Sequence, residues 1–233
     1  MHKYYSRAFG VCIAVKTSIL TVVSMVILLA VGIGIGWGFQ STVAPSSRGT
    51  VTVTSQVQGA YPLTLVITTN NTYNSTIGAQ PAYYVLTSGG LKSSANIALP
   101  ANTMIKLTIV CYDNGNASLV SGQFANVEGM VNGTITYANN DDVNSSQGPN
   151  GIVLNGGETV TSVSPDLISH TFTIPTLNVN VPVPLNSTVV AYFKTGAAGT
   201  YAWFCETECG AGPTGILGAM DTPGWMTGEV EVS

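Results

Sequence analysis

"GTYAWFCETECGAGPTGILGAMDTPGWMTGEVEV", residues 199–232, opens on a strand pattern and closes on one. "GTYAWFC" is an aromatic run that follows a glycine turn, and "MTGEVEV" alternates apolar and polar side chains, as a half-buried strand does. Between them Cys205 and Cys209 stand with three residues between, followed by a glycine-rich segment that carries Met220 and Met226. Two strands therefore bracket a loop of thiols and thioethers. The same pattern runs outward. "ISHTFTIP", residues 168–175, alternates and sets His170, Phe172 and Ile174 on one face, and "STVVAYFK", residues 187–194, alternates as well.

Further upstream, residues 51–58, 63–69 and 82–87 read as strands. Residues 94–115 read as strand, turn at Pro100-Ala101-Asn102, strand, and turn at Asp113-Asn114-Gly115. Residues 116–165 are rich in Asn, Gly, Asp and Ser and lack a sustained apolar run. They read as a long insertion with one hairpin near 133–138, not as a second domain. Past the N-terminus there is no long amphipathic helical pattern. The expected fold is all-β: an antiparallel β-sandwich of Greek-key type.

The N-terminus is of another kind. Residues 17–39 carry no charge, and as a helix they would extend about 34 Å, enough to cross a bilayer core. Lys3, Arg7 and Lys16 precede the run and only Arg48 closely follows it, which predicts a cytoplasmic N-terminus and an extracytoplasmic remainder. The expected organisation is a cytoplasmic tail at 1–16, a single transmembrane helix at 17–39, a polar linker at 40–50 and a domain at 51–233. A cleaved signal peptide is the rival reading; its apolar region would be shorter, although Thr42-Val43-Ala44 would serve as a cleavage site.

Composition narrows the function. Only 8% of the 233 residues are charged, and Ser, Thr, Asn and Gly carry the polarity. Residues 40–233 hold four basic side chains against eleven acidic ones, a net of −7, so nothing there neutralises phosphates and nucleic acid is excluded as a partner. So few titratable groups would change the charge little in acid. Six glycosylation sequons, at Asn70, Asn74, Asn116, Asn132, Asn144 and Asn186, suit an exposed glycoprotein, and a chain this rich in Asn, Ser and Thr also makes them by chance. Cys12 and Cys111 have no evident partner and read as buried or lipid-facing thiols. No Ser-His-Asp spacing and no phosphate-binding glycine loop supports a hydrolase or nucleotide enzyme, so no catalytic residue is assigned.

"SHTFTIP…GTYAWFCETECGAG…MTGEVEV" resembles the C-terminal half of a cupredoxin, and within that group is most similar to the CuA domain of haem–copper (cytochrome c) oxidase subunit II. That family carries His-x-Phe at a strand start, a Cys-x-x-x-Cys-Gly-x-Gly-His-x-x-Met loop, and a closing strand. The resemblance covers about 96–112 and 166–232 and is specific in the last 65 residues or so. It implies His170, Cys205, Cys209 and Met226 as metal ligands, with the Thr207 backbone carbonyl, Met220 and Glu208 as lesser candidates. It also implies one or two copper ions. The chain departs from the family at Pro213, where the second His is expected, and its Cys209–Met226 interval is far longer than the family loop. Thiolate and thioether donors favour copper, and zinc on a Cys₂His set with Asp221 or water is the other possibility.

Three functions follow from this reading. The first is an anchored extracytoplasmic electron-transfer module, a subunit II-like component beside a haem–copper catalytic subunit or a tethered carrier that serves a redox donor protein. The second is a metal-free structural or assembly subunit with a Cys205–Cys209 disulfide, since quinol-oxidising relatives of the oxidase family have lost CuA. The third is copper delivery through the Met-containing loop.

Overall fold

The computed structural model describes residues 50–51, 59–144, 153–210 and 218–233. The spanning segment expected at 17–39, most of the linker and of the 51–58 strand, and Pro213 lie outside the described residues. The chain divides into Met1–Ser47 and Arg48–Ser233, and the fold below is that of the second unit. Among the described residues no helix is long and apolar enough to cross a membrane.

The unit is all-β. Its strands are β1 (Thr50–Val51), β2 (Tyr61–Asn74), β3 (Gly78–Thr87), β4 (Gly90–Ser93), β5 (Asn96–Leu99), β6 (Met104–Cys111), β7 (Ile135–Asn139) and β8 (Val143–Asn144). They continue with β9 (Val153–Asn155), β10 (Glu158–Val160), β11 (Ile168–Ile174), β12 (Val179–Pro184), β13 (Ser187–Lys194), β14 (Gly199–Phe204) and β15 (Thr227–Val232). A seven-stranded sheet runs β10-β7-β13-β6-β2-β3-β4 and a five-stranded sheet runs β12-β11-β14-β15-β5, with β1, β9 and β8 forming a small third sheet. The two main sheets share one core. Leu65, Ile67, Tyr83 and Leu107 on the large sheet join Phe172, Val181, Trp203 and Val230 on the small one.

The all-antiparallel expectation is corrected. β2 pairs parallel with β6, and β15 parallel with β5. Between β2 and β6 the chain first makes β3, β4 and β5, so it returns in its original direction instead of folding back through a hairpin. β12, "VNVPVP", was not among the expected strands. Its prolines fit an edge position, and β12 is the outermost strand of its sheet.

β11 and β12 also bury both faces, whereas alternation predicts one wet face. The cover comes from the segment read as an insertion. Glu128 bridges Asn180, and the Asn180 amide donates to the carbonyls of Phe124 at 3.0 Å and Asn126 at 2.6 Å. The same segment contributes β7, which pairs with β13 inside the large sheet. One glycine is dictated by packing: a Cβ on Gly228 would stand 2.6 Å from the Trp203 indole nitrogen, so only hydrogen fits beneath that ring.

Candidate metal centre

β11 and β14 are neighbours in the small sheet, joined at Thr173 and Phe204. β14 therefore delivers Cys205 beside the start of β11, where His170 lies on the core face with Phe172. The Cys205 N–H donates to the Met226 carbonyl at 2.8 Å, which ties the loop's first residue to the segment that leads into β15. The Cys209 N–H then donates to the Thr207 carbonyl at 2.8 Å, closing a tight turn that points both sulfurs inward. Residues 118–120 strap the loop from outside. Val120 N–H donates to the Glu206 carbonyl at 2.9 Å, and Glu208 N–H to the Ser118 carbonyl at 2.8 Å.

Three donor atoms converge. His170 Nδ1 lies 3.1 Å from Cys209 Sγ and 3.8 Å from Cys205 Sγ, and the sulfurs lie 3.2 Å apart. All fall within 4.8 Å of one another and all three residues are buried. Both cysteines are free thiols, with the sulfurs well beyond the roughly 2.05 Å of a disulfide bond. The Thr207 hydroxyl sits 3.2 Å from each sulfur and donates to the Ser169 carbonyl at 3.0 Å. The Thr171 N–H donates to Cys205 Sγ at 3.4 Å.

Charge follows from this geometry. Burial opposes ionisation of Cys205, yet hydrogen bonds from Cys209 and His170 overcome it and hold that thiol well below the ordinary range. Cys209, hydrogen-bonded to Cys205 and buried, is pushed well up. The two sulfurs are thereby pushed in opposite directions, Cys205 toward the thiolate and Cys209 toward the thiol. Burial also opposes charge on His170, but its hydrogen bonds to Asp113 and Cys205 raise it to about 9. A metal bound here would take deprotonated sulfur and the Nδ1 lone pair, and so would release the protons these groups carry.

The remaining expected site residues divide. Met220 brings its sulfur 3.7 Å from Cys209 Sγ. Met226, the favoured methionine in the sequence, is fully buried and meets the loop through its backbone: its N–H donates to the Ala219 carbonyl at 3.0 Å. The Thr207 carbonyl is engaged by Cys209, and its hydroxyl is the group that faces the sulfurs. Glu208 and Asp221 are exposed. The sequence reading missed Asp113, whose Oδ2 lies 2.9 Å from His170 Nε2. Burial works against its charge, but the His170 hydrogen bond, the Gly115 N–H and the imidazolium hold it below the usual carboxylate range. "DNG" signalled a turn, and no spacing rule connects residues 57 positions apart.

No family model matches the chain, and no curated protein matches it. Among solved structures the chain is similar to auracyanin B, at 14% identity over 79% of this chain and 96% of that one, with a TM-score of 0.28. It is similar to rusticyanin from Thiobacillus ferrooxidans, at 12% identity over 75% and 78%, with a TM-score of 0.30. A third is the dithionite-reduced auracyanin of the photosynthetic bacterium Roseiflexus castenholzii, at 13% identity over 75% and 99%, with a TM-score of 0.27. At these values the likenesses carry no inference, and the chemistry rests on the chain's own residues.

Proposed function

We propose that this chain is a copper-binding electron-transfer protein with a cupredoxin-like sandwich, tethered by residues 17–39 to the outer face of a membrane. The observation that carries the reading is the convergence of His170 Nδ1 and two cysteine sulfurs in a buried cluster. The donor set fits the ion: two sulfurs and an imidazole suit copper, and the Cys205 thiol is held well below the ordinary range. When bound, copper supplies a one-electron couple. The chain's part is to hold the donors still and dry. His170 is fixed on a strand buried along its whole length, Cys205 is tied to Met226, and the 118–120 strap restrains the loop between the cysteines. Donors that do not move between oxidation states keep reorganisation small. Met220, with its sulfur 3.7 Å from Cys209 Sγ, would add a thioether. In this reading the domain takes its place beside a haem–copper oxidase as its subunit II-like electron acceptor, or serves as a tethered carrier.

The second reading, a docking subunit with a Cys205–Cys209 disulfide, draws on the short distance between the two sulfurs. One experiment separates them. The full chain in detergent is loaded with copper, and metal-to-protein ratio, visible absorption and free thiols are measured. One or two coppers per chain with an intense thiolate-to-copper band support electron transfer. No band, together with no free thiol at either cysteine, overturns it in favour of docking.

A further inference from the structure

We propose that Asp113 is a positioning residue of the candidate centre, holding the His170 ring with Nε2–H turned away from the sulfurs and Nδ1, the nitrogen that would bind the metal, turned toward them. The inference rests on the metal reading above and adds to it a residue and a role. A carboxylate can only accept, so at 2.9 Å from Asp113 Oδ2 the His170 Nε2 must be the donor. That assigns metal binding to Nδ1, the nitrogen 3.1 Å from Cys209 and 3.8 Å from Cys205. Turning the ring over would set carbon against the carboxylate and lose both contacts.

The carboxylate is itself held. Its Oδ1 accepts the Gly115 N–H at 2.8 Å, which leaves Oδ2 for the ring. The Asp113 carbonyl accepts the Asn186 N–H at 2.7 Å, from the turn between β12 and β13. Ser169, the residue before His170, donates through its hydroxyl to the Gly115 carbonyl and so draws the 113–115 turn onto the start of β11. The turn after β6 is thereby locked to the strand that carries the imidazole. The ring is fully buried while the Asp113 side chain is 18% exposed, so the carboxylate closes the site at its solvent edge. A carboxylate behind a ligating imidazole fixes the tautomer and the ring plane, and losing such a partner typically lowers metal affinity about 10- to 100-fold.

The test uses the full chain in detergent, labelled with ¹⁵N-histidine, metal-free and loaded with Cu(I) alone. Wild type, Asp113→Ala and Asp113→Asn are compared, because the asparagine carbonyl can still accept from Nε2–H. The expected results are a protected Nε2–H resonance from His170 and Nδ1 as the metal-shifted nitrogen in wild type. Alanine should lose the protected resonance and bind Cu(I) about 10- to 100-fold more weakly by chelator competition, and asparagine should restore both in large part. Asp113→Leu keeps the bulk without an acceptor and replaces the alanine chain if that one does not fold. An alanine or leucine chain with wild-type melting, ring signals and affinity overturns the inference, as does an unprotonated Nε2 in wild type. A wild-type chain that takes up no Cu(I) overturns the metal reading instead; failure of the positioning role alone leaves wild-type uptake intact.

Discussion

β11 and β3 are both strands of about one sandwich height, yet every residue of β11 is buried and most of β3 is not. The polar face of β11, Ser169, Thr171 and Thr173, is closed over by loops, and each hydroxyl is matched to a partner. β3 continues into β4, whose four residues are all exposed, and its outward side chains meet water. The difference teaches where this chain concentrates its ordering. Polar groups sealed from water must be paired, so the β11 region tolerates little, while the β3–β4 hairpin has water as a partner for whatever it presents.

The largest break should come at Asn180, which joins Thr173 at 2.7 Å to the covering segment through the Phe124 and Asn126 carbonyls. Asn180→Ala removes the partner of the buried Thr173 hydroxyl and of two part-buried carbonyls and should cost about 3 kcal/mol in denaturant unfolding. Next is Cys111, on the core face beside the centre, where burial pushes the thiol to about 12. A raised folded pKa gives stability that is whole below the unfolded value near 9 and is lost as pH climbs toward 12. Between pH 9 and 11 the metal-free wild type should therefore lose about 2–3 kcal/mol more than Cys111→Val, read from paired unfolding curves. Thr171→Val should cost about 1–2 kcal/mol, because its Oγ1 accepts the Glu206 N–H at 2.7 Å and that donor would be left dry. It should also shift the thiolate band of the loaded chain, since Glu206 adjoins Cys205. At the other pole of the comparison, Leu86→Thr in β3, at a site 48% exposed, should change unfolding stability by no more than about 0.5 kcal/mol. A large loss there would erase the contrast between the two regions.

What could be read in advance follows the same division. Strands with one apolar face announce themselves, so β11, β13, β14 and β15 are legible, and with them the meeting of His170, Cys205 and Cys209. β12 hides because its two prolines argue against a strand. That Met220 brings its sulfur near Cys209 depends on the short 3₁₀ turn at Ala219–Asp221, which residue types alone do not encode. Asp113 was invisible because a turn signal says nothing about what the turn will touch. The covering role of residues 117–130 was hidden as well, since its hydrogen bonds are made largely by backbone groups that every sequence carries.

The centre's parts are far apart along the chain. His170 follows its carboxylate partner by 57 positions, and Cys209 follows His170 by 39. During synthesis the carboxylate, then the imidazole and last the sulfurs leave the ribosome in turn, and neither the carboxylate nor the imidazole can reach the sulfurs through local structure. The three donors meet only after β11 and β14 have paired in the small sheet, and the carboxylate joins them only once the large sheet has closed on it. Any ion that needs all three donors is therefore refused by the nascent chain and accepted by the finished one, so uptake would mark completion of the molecule rather than assist its beginning.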